Sequence, residues 1–189
     1  MASLRDAVYG AAIGDALGVP FEFKVRDSFV CTDMVGHGTY GLPAGTFSDD
    51  TSMMLATCDS IRELAGRIDV DDMRERFRRW WRNGAYTADG SCFDIGNTTA
   101  TALDEGCGRS GDRDNGNGSL MRIAPLAYCD ASGDDVRAVS AITHAHRIST
   151  ESCVFFVTLL RGIISGEITD TPTLEEAIRK AKPADESFA

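Results

Sequence analysis

Gly45-Thr46-Phe47-Ser48-Asp49-Asp50-Thr51 sets a hydroxyl and two adjacent carboxylates at the foot of an apolar run, Met53-Met54-Leu55-Ala56. Adjacent acids repel, so a fold that keeps them side by side must supply a cation or a row of backbone N–H donors. Oxygen-only ligands of this kind suit a hard ion such as magnesium or manganese, not zinc or copper. A plainer reading also stands: Ser48 caps a helix, and Asp49 and Asp50 complement its dipole. The two readings differ in the company the motif must keep, and four further motifs bear on that.

The first is Gly10-Ala11-Ala12-Ile13-Gly14-Asp15-Ala16-Leu17-Gly18-Val19-Pro20-Phe21-Glu22. Asp15 is a carboxylate within a helix of small apolar residues and needs a buried partner, for which a hydrogen bond to the neighbouring loop is the simpler choice. Glu22 falls just past that helix, either as a site residue or as an ordinary solvated acid. In Phe93-Asp94-Ile95-Gly96-Asn97-Thr98-Thr99, Asp94 precedes a helix and reads as its cap or as a ligand contact near a metal. In Asn115-Gly116-Asn117-Gly118-Ser119-Leu120-Met121-Arg122-Ile123-Ala124-Pro125, glycines allow close backbone approach and a helix is expected to follow, the recipe for a diphosphate site. It is not a P-loop, because G-x-x-x-x-G-K is absent. In Thr143-His144-Ala145-His146 the histidines stand at i and i+2. They do not share a helix face, so a zinc pair is not expected. One of them contacts a ligand phosphate or ring, or caps a helix C-terminus.

These motifs need a scaffold, and the helical period dominates the chain. Ser3-Leu4-Arg5-Asp6 resembles a capping box and opens a helix running to Leu17. Its many small residues suggest a buried helix that neighbours approach closely. Phe21 to Pro43 reads as a long loop, a length that is uncommon unless functional. Helices are expected at about Asp50 to Leu64 and from Asp71-Asp72 to Asn83-Gly84. The second of these carries Met73, Phe77, Trp80 and Trp81 on its apolar side. A loop from Ala85 to Phe93 leads to a helix at about Asn97 to Glu105, then to a polar loop from Gly106 to Gly118. Further helices are expected at about Ser119 to Tyr128, Asp134 to His144 and Thr150 to Ile164, with Thr173-Leu174-Glu175-Glu176 as the capping box of a last short one. No segment sustains period-two alternation, so the fold class is all-α.

The chain has 189 residues, 43% of them apolar, and a formal net charge of −10, which fits one globular domain over 1–189. The charge argues against general nucleic-acid binding and against an anionic membrane surface. A small phosphate remains compatible, since backbone N–H groups hold it. Cys31, Cys58, Cys92, Cys107, Cys129 and Cys153 form no C-x-x-C pair and read as reduced residues of a cytoplasmic protein. No stretch approaches 18 uninterrupted apolar residues, so a soluble protein is expected.

Taken in order, G-D-A-L-G…E, (T/S)-D-D-T, D-x-G-x-T, G-N-G-x-x-M-R and T-H resemble the ADP-ribosylglycohydrolase family, the relatives of the dinitrogenase-reductase-activating glycohydrolase. The resemblance covers nearly the whole chain. It implies a compact, orthogonal multi-helix fold and two magnesium or manganese ions. The implied activity is removal of ADP-ribose from modified protein side chains, commonly arginine, or from related conjugates. It implies Ser48, Asp49 and Asp50 as metal ligands, with Glu22 beside the scissile bond and Asp94 facing the metal-bound ribose or the leaving group. Gly116, Asn117, Gly118 and Ser119 would cradle the diphosphate, and His144 would help hold the nucleotide part.

The family also carries a later D-x-D-T motif opening an Ala/Gly-rich helix. Thr169-Asp170-Thr171 is the nearest string, but position 168 is Ile, and Pro172 and an acidic helix follow. It is rejected as the second metal motif. The expectation is therefore an N-terminal portion, a fragment or truncated member, holding the nucleotide loop and half of the metal shell. Such a chain should bind metal weakly and show little or no hydrolase activity alone. The alternative is a non-catalytic ADP-ribose-binding or interaction module. A helical metal-dependent phosphohydrolase fits less well, since the only histidines are His37, His144 and His146 and no H…HD pattern occurs.

Overall fold

The computed structural model describes residues 3–181. Among the described residues there are seven α-helices: α1 (Leu4–Gly18), α2 (Asp49–Glu63), α3 (Val70–Asn83), α4 (Asn97–Glu105), α5 (Gly133–Ser140), α6 (Arg147–Ser165) and α7 (Thr171–Ala181). No strand occurs among the described residues, so the all-α expectation holds. Local chemistry sets the ends. Ser3 and Asp6 form the reciprocal capping box of α1, and Asp69 accepts from the backbone N–H groups of Asp71 and Asp72 to open α3. Gly84 (φ 66°) and Gly106 (φ 75°) close α3 and α4 in the left-handed conformation.

The core forms where α2, α3, α5 and α6 meet. Met73, Phe77 and Trp80 lie at i, i+4 and i+7 of α3 and are fully buried. They pack with Met53 and Ala56 of α2, Leu103 of α4, Val136 and Val139 of α5, and Cys153 and Val157 of α6. Burial of each large apolar side chain contributes about 1.5–3 kcal/mol. A polar seam backs this core: Arg76 of α3 bonds Asp72, Tyr86 and Asp59 of α2. That seam fixes α2 against α3, and with it the carboxylate-bearing start of α2.

Several sequence expectations change. The stretch 119–128 is not one helix but two 3-10 turns, Leu120–Arg122 and Ala124–Tyr128. Pro125 has no N–H to donate and disfavours helical geometry at Ala124, which breaks a continuous helix. The helix expected to reach His144 ends at Ser140. The one expected from Thr150 starts at Arg147, with the His146 side chain as its N-cap, so this histidine opens a helix rather than closing one. The last capping box is Asp170 with Thr173, not Thr173 with Glu176. Asp170 of Thr169-Asp170-Thr171 thus caps α7.

The small-residue helix α1 is also not buried. Only Ala16 is buried, Gly10, Gly14 and Gly18 face open space, and Tyr9 and Ile13 are exposed. Its C-terminal part packs on α2, which is enough to deliver Asp15 there.

By length and composition α6 could cross a membrane. However, it pairs Glu151 with Arg137 of α5, and its Arg161 donates to the carbonyls of Leu126, Cys129 and Ala131. A helix packed inside a protein meets the same test.

Candidate active site

Four of the motifs converge on the N-terminus of α2, where every early backbone donor has a partner. The Ser48 N–H and the Thr51 N–H donate to Asp15 of α1, at 3.0–3.1 Å and 3.0 Å. The hydroxyls of Ser48 and Thr51 also donate to Asp15, each at 2.6 Å. The Asp50 N–H donates to Ser48 Oγ at 3.3 Å, and the Asp49 N–H to Asp94 Oδ2 at 3.4 Å. Asp15 therefore meets the partner its burial demanded, a helix start rather than a loop. Asp94 does not cap α4, whose N-cap is Gly96 without a side-chain bond; it faces α2 instead. No sequence signal separated these roles for Asp94, because both place an acid just before a helix.

Glu22 joins from the long loop. Its carboxylate accepts from the Tyr40 hydroxyl at 2.8 Å, and its carbonyl accepts from Thr39 Oγ1 at 2.5 Å. The loop lies tight on the end of α1: the Thr39 N–H donates to the Pro20 carbonyl, and a Cβ on Gly38 would collide with the Pro20 backbone. Tyr40 packs edge-on against Phe93, beside Asp94 (centroids 4.9 Å apart). Tyr40 was not singled out from the sequence, where a lone tyrosine in a loop carries no signal. Asp15, Glu22 and Asp50 line an open groove of about 450 Å³ together with Met54 and Met121. A larger groove of about 620 Å³ lies between α6 and α7, away from the acids.

The electrostatics of the cluster are one-sided. Burial, then the charges of Asp94 and Asp50, push Asp49 upward, and Asp49 and Asp94 hydrogen-bond through a shared proton. Asp94 is raised by burial and by Glu22. Much of Asp50 is open to water, yet loss of part of its hydration, then Asp15 and Glu22, raise it too. Burial and the bond to Glu22 push the Tyr40 hydroxyl far up, so it stays a donor. None of the ion pairs among the described residues reaches these acids. The donor set suits a hard divalent cation. As they stand, no three His, Cys, Asp or Glu side chains among the described residues converge on one point at ligand distance. The Ser48 hydroxyl gives its proton to Asp15 and so keeps a lone pair for an ion.

The glycine segment forms the second part. Gly116 and Gly118 lie against the imidazole of His144; a Cβ at Gly118 would come within 2.7 Å of its Cε1. The Ser149 hydroxyl donates to the Gly116 carbonyl at 2.8 Å. His144 is buried, and its backbone pairs with Arg109. Burial, reinforced by Arg122, lowers its pKa to about 4, so the ring is neutral at pH 7. Asn117 is exposed, and its carbonyl accepts from the Leu120 N–H. The Ser119 hydroxyl is turned inward, bonded to Ser140 at 2.8 Å and within 3.4 Å of Cys153 Sγ. Only the backbone of Ser119 is left for a ligand. The element that follows the glycines is a three-residue 3-10 turn, so no α-helix starts directly after them. That turn packs on α2, which ties the glycine segment to the acid cluster.

The helical scaffold thus gathers five carboxylates at one helix start and seats a glycine segment on a neutral histidine. The sequence profile of ADP-ribosylglycohydrolase matches residues 2–188, and the chain belongs to this family. It is 37% identical to the ADP-ribosylarginine hydrolase Tri1 of Serratia proteamaculans over 174 residues, 86% of this chain and 47% of that protein. Identity to Tri1 of Pseudomonas putida is 36%, over 95% of this chain and 51% of that protein. Identity to the ADP-ribosyl-[dinitrogen reductase] glycohydrolase of Rhodospirillum rubrum is 30%, over 85% of this chain and 57% of that protein. A solved structure titled "ADP-ribosylglycohydrolase-related protein complex" superposes with a TM-score of 0.74 at 29% identity, over 93% of this chain and 61% of that one. The chain thus spans about half the length of the curated relatives it matches.

Proposed function

We propose that this chain serves in the hydrolytic removal of ADP-ribose from modified protein side chains, with an arginine-type N-glycosidic bond as the preferred linkage and magnesium or manganese at the carboxylate cluster. The observation that carries this reading is the packing of Asp49, Asp50 and Asp94 together, with no cationic side chain among the described residues paired to them, beside a glycine segment suited to a diphosphate. Ser48, Asp49 and Asp50 would hold the metal, with Asp94 facing the metal-bound ribose or the leaving group. When bound, the metal would orient the ribose hydroxyls and polarise a water.

The remaining work falls to the chain's own groups. Cleavage at the anomeric carbon develops positive charge on the sugar, which facing carboxylates stabilise. Glu22, oriented by Tyr40, is placed to exchange a proton with the attacking water or the leaving nitrogen. Backbone groups of Gly116, Asn117, Gly118 and Ser119, with His144, would hold the diphosphate.

The test is calorimetric titration of ADP-ribose into the chain with and without magnesium, repeated for the double variant Asp49→Ala, Asp50→Ala, beside release of ADP-ribose from an ADP-ribosylated arginine substrate. Magnesium-dependent binding lost in the double variant is the expected result. Binding that ignores both magnesium and the two aspartates would favour a non-catalytic ADP-ribose binder, and no binding under any condition would remove the reading from this chain.

A further inference from the structure

Arg122 is completely buried, yet among the described residues no carboxylate accompanies it. Its guanidinium lies over the Phe77 ring, 4.5 Å from the centroid. Its Nη1 donates to the Val139 carbonyl near the end of α5 at 3.1 Å, its Nη2 donates to Thr143 Oγ1 at 2.8 Å, and its Nε has no partner. Burial lowers its pKa only to about 10, so the charge persists at neutral pH. A buried charge without a counter-ion is costly, and an apolar side chain would fill the same space at less cost. The arginine therefore does something an apolar residue cannot, and its contacts show what.

A guanidinium only donates. Thr143 Oγ1 must accept from Arg122, which leaves its own proton to place. His144 Nδ1 lies 2.8 Å away, and no other acceptor for this hydroxyl is found among the described residues. The Thr143 O–H therefore donates to Nδ1, and the one proton of the neutral ring sits on Nε2. That edge of the ring lies against the glycine segment: a Cβ at Gly118 or Gly116 would come within 3.0 or 3.6 Å of Nε2. Two charges bear on the ring from the packed elements, Arg122 opposing a second proton and Asp114 favouring one. Asp114 is engaged elsewhere, accepting from the Gly111 N–H at 3.0 Å and lying 3.6 Å from Arg109.

We propose that Arg122 and Thr143 are positioning residues that hold His144 as a neutral imidazole with its proton on Nε2, presented to the Gly116–Gly118 segment as a donor for a bound phosphate. The donor role rests on the reading of that segment as the diphosphate site; the proton arrangement does not. A neutral donor accepts an anion without titrating across the physiological range, which a solvated histidine could not do.

The experiment is side-chain 15N NMR of the full chain at pH 7, first without ligand. A single His144 tautomer, Nε2 protonated and Nδ1 bare, is expected; an Nδ1–H or doubly protonated ring overturns the proposal whatever the chain binds. Thr143→Val keeps the shape and removes the relay. It should give a tautomer mixture and weaken ADP-ribose binding about tenfold, the cost of one hydrogen bond, while Thr143→Ser restores both. A folded Thr143→Val chain that keeps the single Nε2–H tautomer overturns the relay. ADP-ribose is then titrated into the parent chain. Binding that leaves the His144 Nε2 signal unmoved overturns the donor role, whereas the correct tautomer with no ADP-ribose binding supports the relay and counts against the diphosphate reading alone.

Discussion

Asp49→Asn should stabilise the metal-free chain at neutral pH. The folded state holds Asp49 up at about 8 against 3.8 for the free residue, through burial first and then the charges of Asp94 and Asp50. Between those values the folded chain binds more protons than the unfolded one, so stability is full below about pH 4 and falls as the pH rises toward 8. From 3.8 to pH 7 is about three pKa units, or about 4 kcal/mol at the limit; relaxation and partial hydration reduce this to about 2 kcal/mol. Asparagine imitates the protonated acid, since its Nδ2–H can donate to Asp94 as the shared proton does. The poorer fit of an amide to the bond the acid makes works against the gain by about 0.5 kcal/mol. The net lies between about 1 and 2 kcal/mol, or about 3–6 °C in Tm for a chain of this size. Thermal unfolding at pH 8 and pH 5, with and without magnesium, reads it. The variant should gain at pH 8, gain little at pH 5, and lose most of any magnesium-induced stabilisation. Destabilisation at pH 8, or an equal gain at both pH values, would refute the argument.

Further predictions follow from the same geometry. Magnesium binding at pH 7 should expel close to one proton, the one shared by Asp49 and Asp94, which calorimetry in buffers of different ionisation enthalpy measures. Asp15→Ala strips the N–H groups of Ser48 and Thr51 of their acceptor and should cost about 3 kcal/mol in urea unfolding, with Asp15→Asn costing less because one acceptor oxygen remains. His144 acts with the opposite sign to Asp49: its folded pKa of about 4 lies below the free value of 6.5, so its contribution is present above pH 6.5 and is lost as the pH falls toward 4. The loss reaches at most about 3 kcal/mol, and His144→Gln should flatten stability over that window.

The sequence disclosed the helices most clearly where local chemistry decides them. Asn97–Glu105 ends at a left-handed glycine, and α3 shows its buried face as Met73, Phe77 and Trp80 at helical spacing. It disclosed least where a long-range contact overrides a local pattern. Residues 119–128 have helical composition, but Pro125 and the demands of Arg122 and Ser119 on the core leave two 3-10 turns. The glycines and alanines of α1 suggested close packing, yet small residues mark only where approach is possible, and among the described residues nothing approaches Gly10, Gly14 or Gly18. In the candidate site, motif order pointed to Asp49, Asp50, Asp94 and Glu22. The inward turn of the Ser119 hydroxyl and the part played by Tyr40 depend on partners 18 or more residues away, Glu22 for Tyr40 and Ser140 for Ser119, which no local pattern encodes.

The capping and ligand readings of Ser48-Asp49-Asp50 are not rivals, and Asp15 is the reason. A helix start has orphan N–H groups and a positive dipole end, and an acid placed there is normally consumed by them. Here α1 crosses the start of α2 and supplies Asp15, which takes the N–H groups and hydroxyls of both Ser48 and Thr51. The Ser48 hydroxyl serves Asp50 N–H, and Asp94 serves Asp49 N–H. The backbone demand is thereby met without the side chains of Asp49 and Asp50. Two carboxylates remain at the positive end of a helix, close to a third and short of a cation. The charge of Asp15 adds to their repulsion while its hydrogen bonds hold them in place, so the residue that stabilises the helix start also adds to the negative charge that the proposed metal would offset.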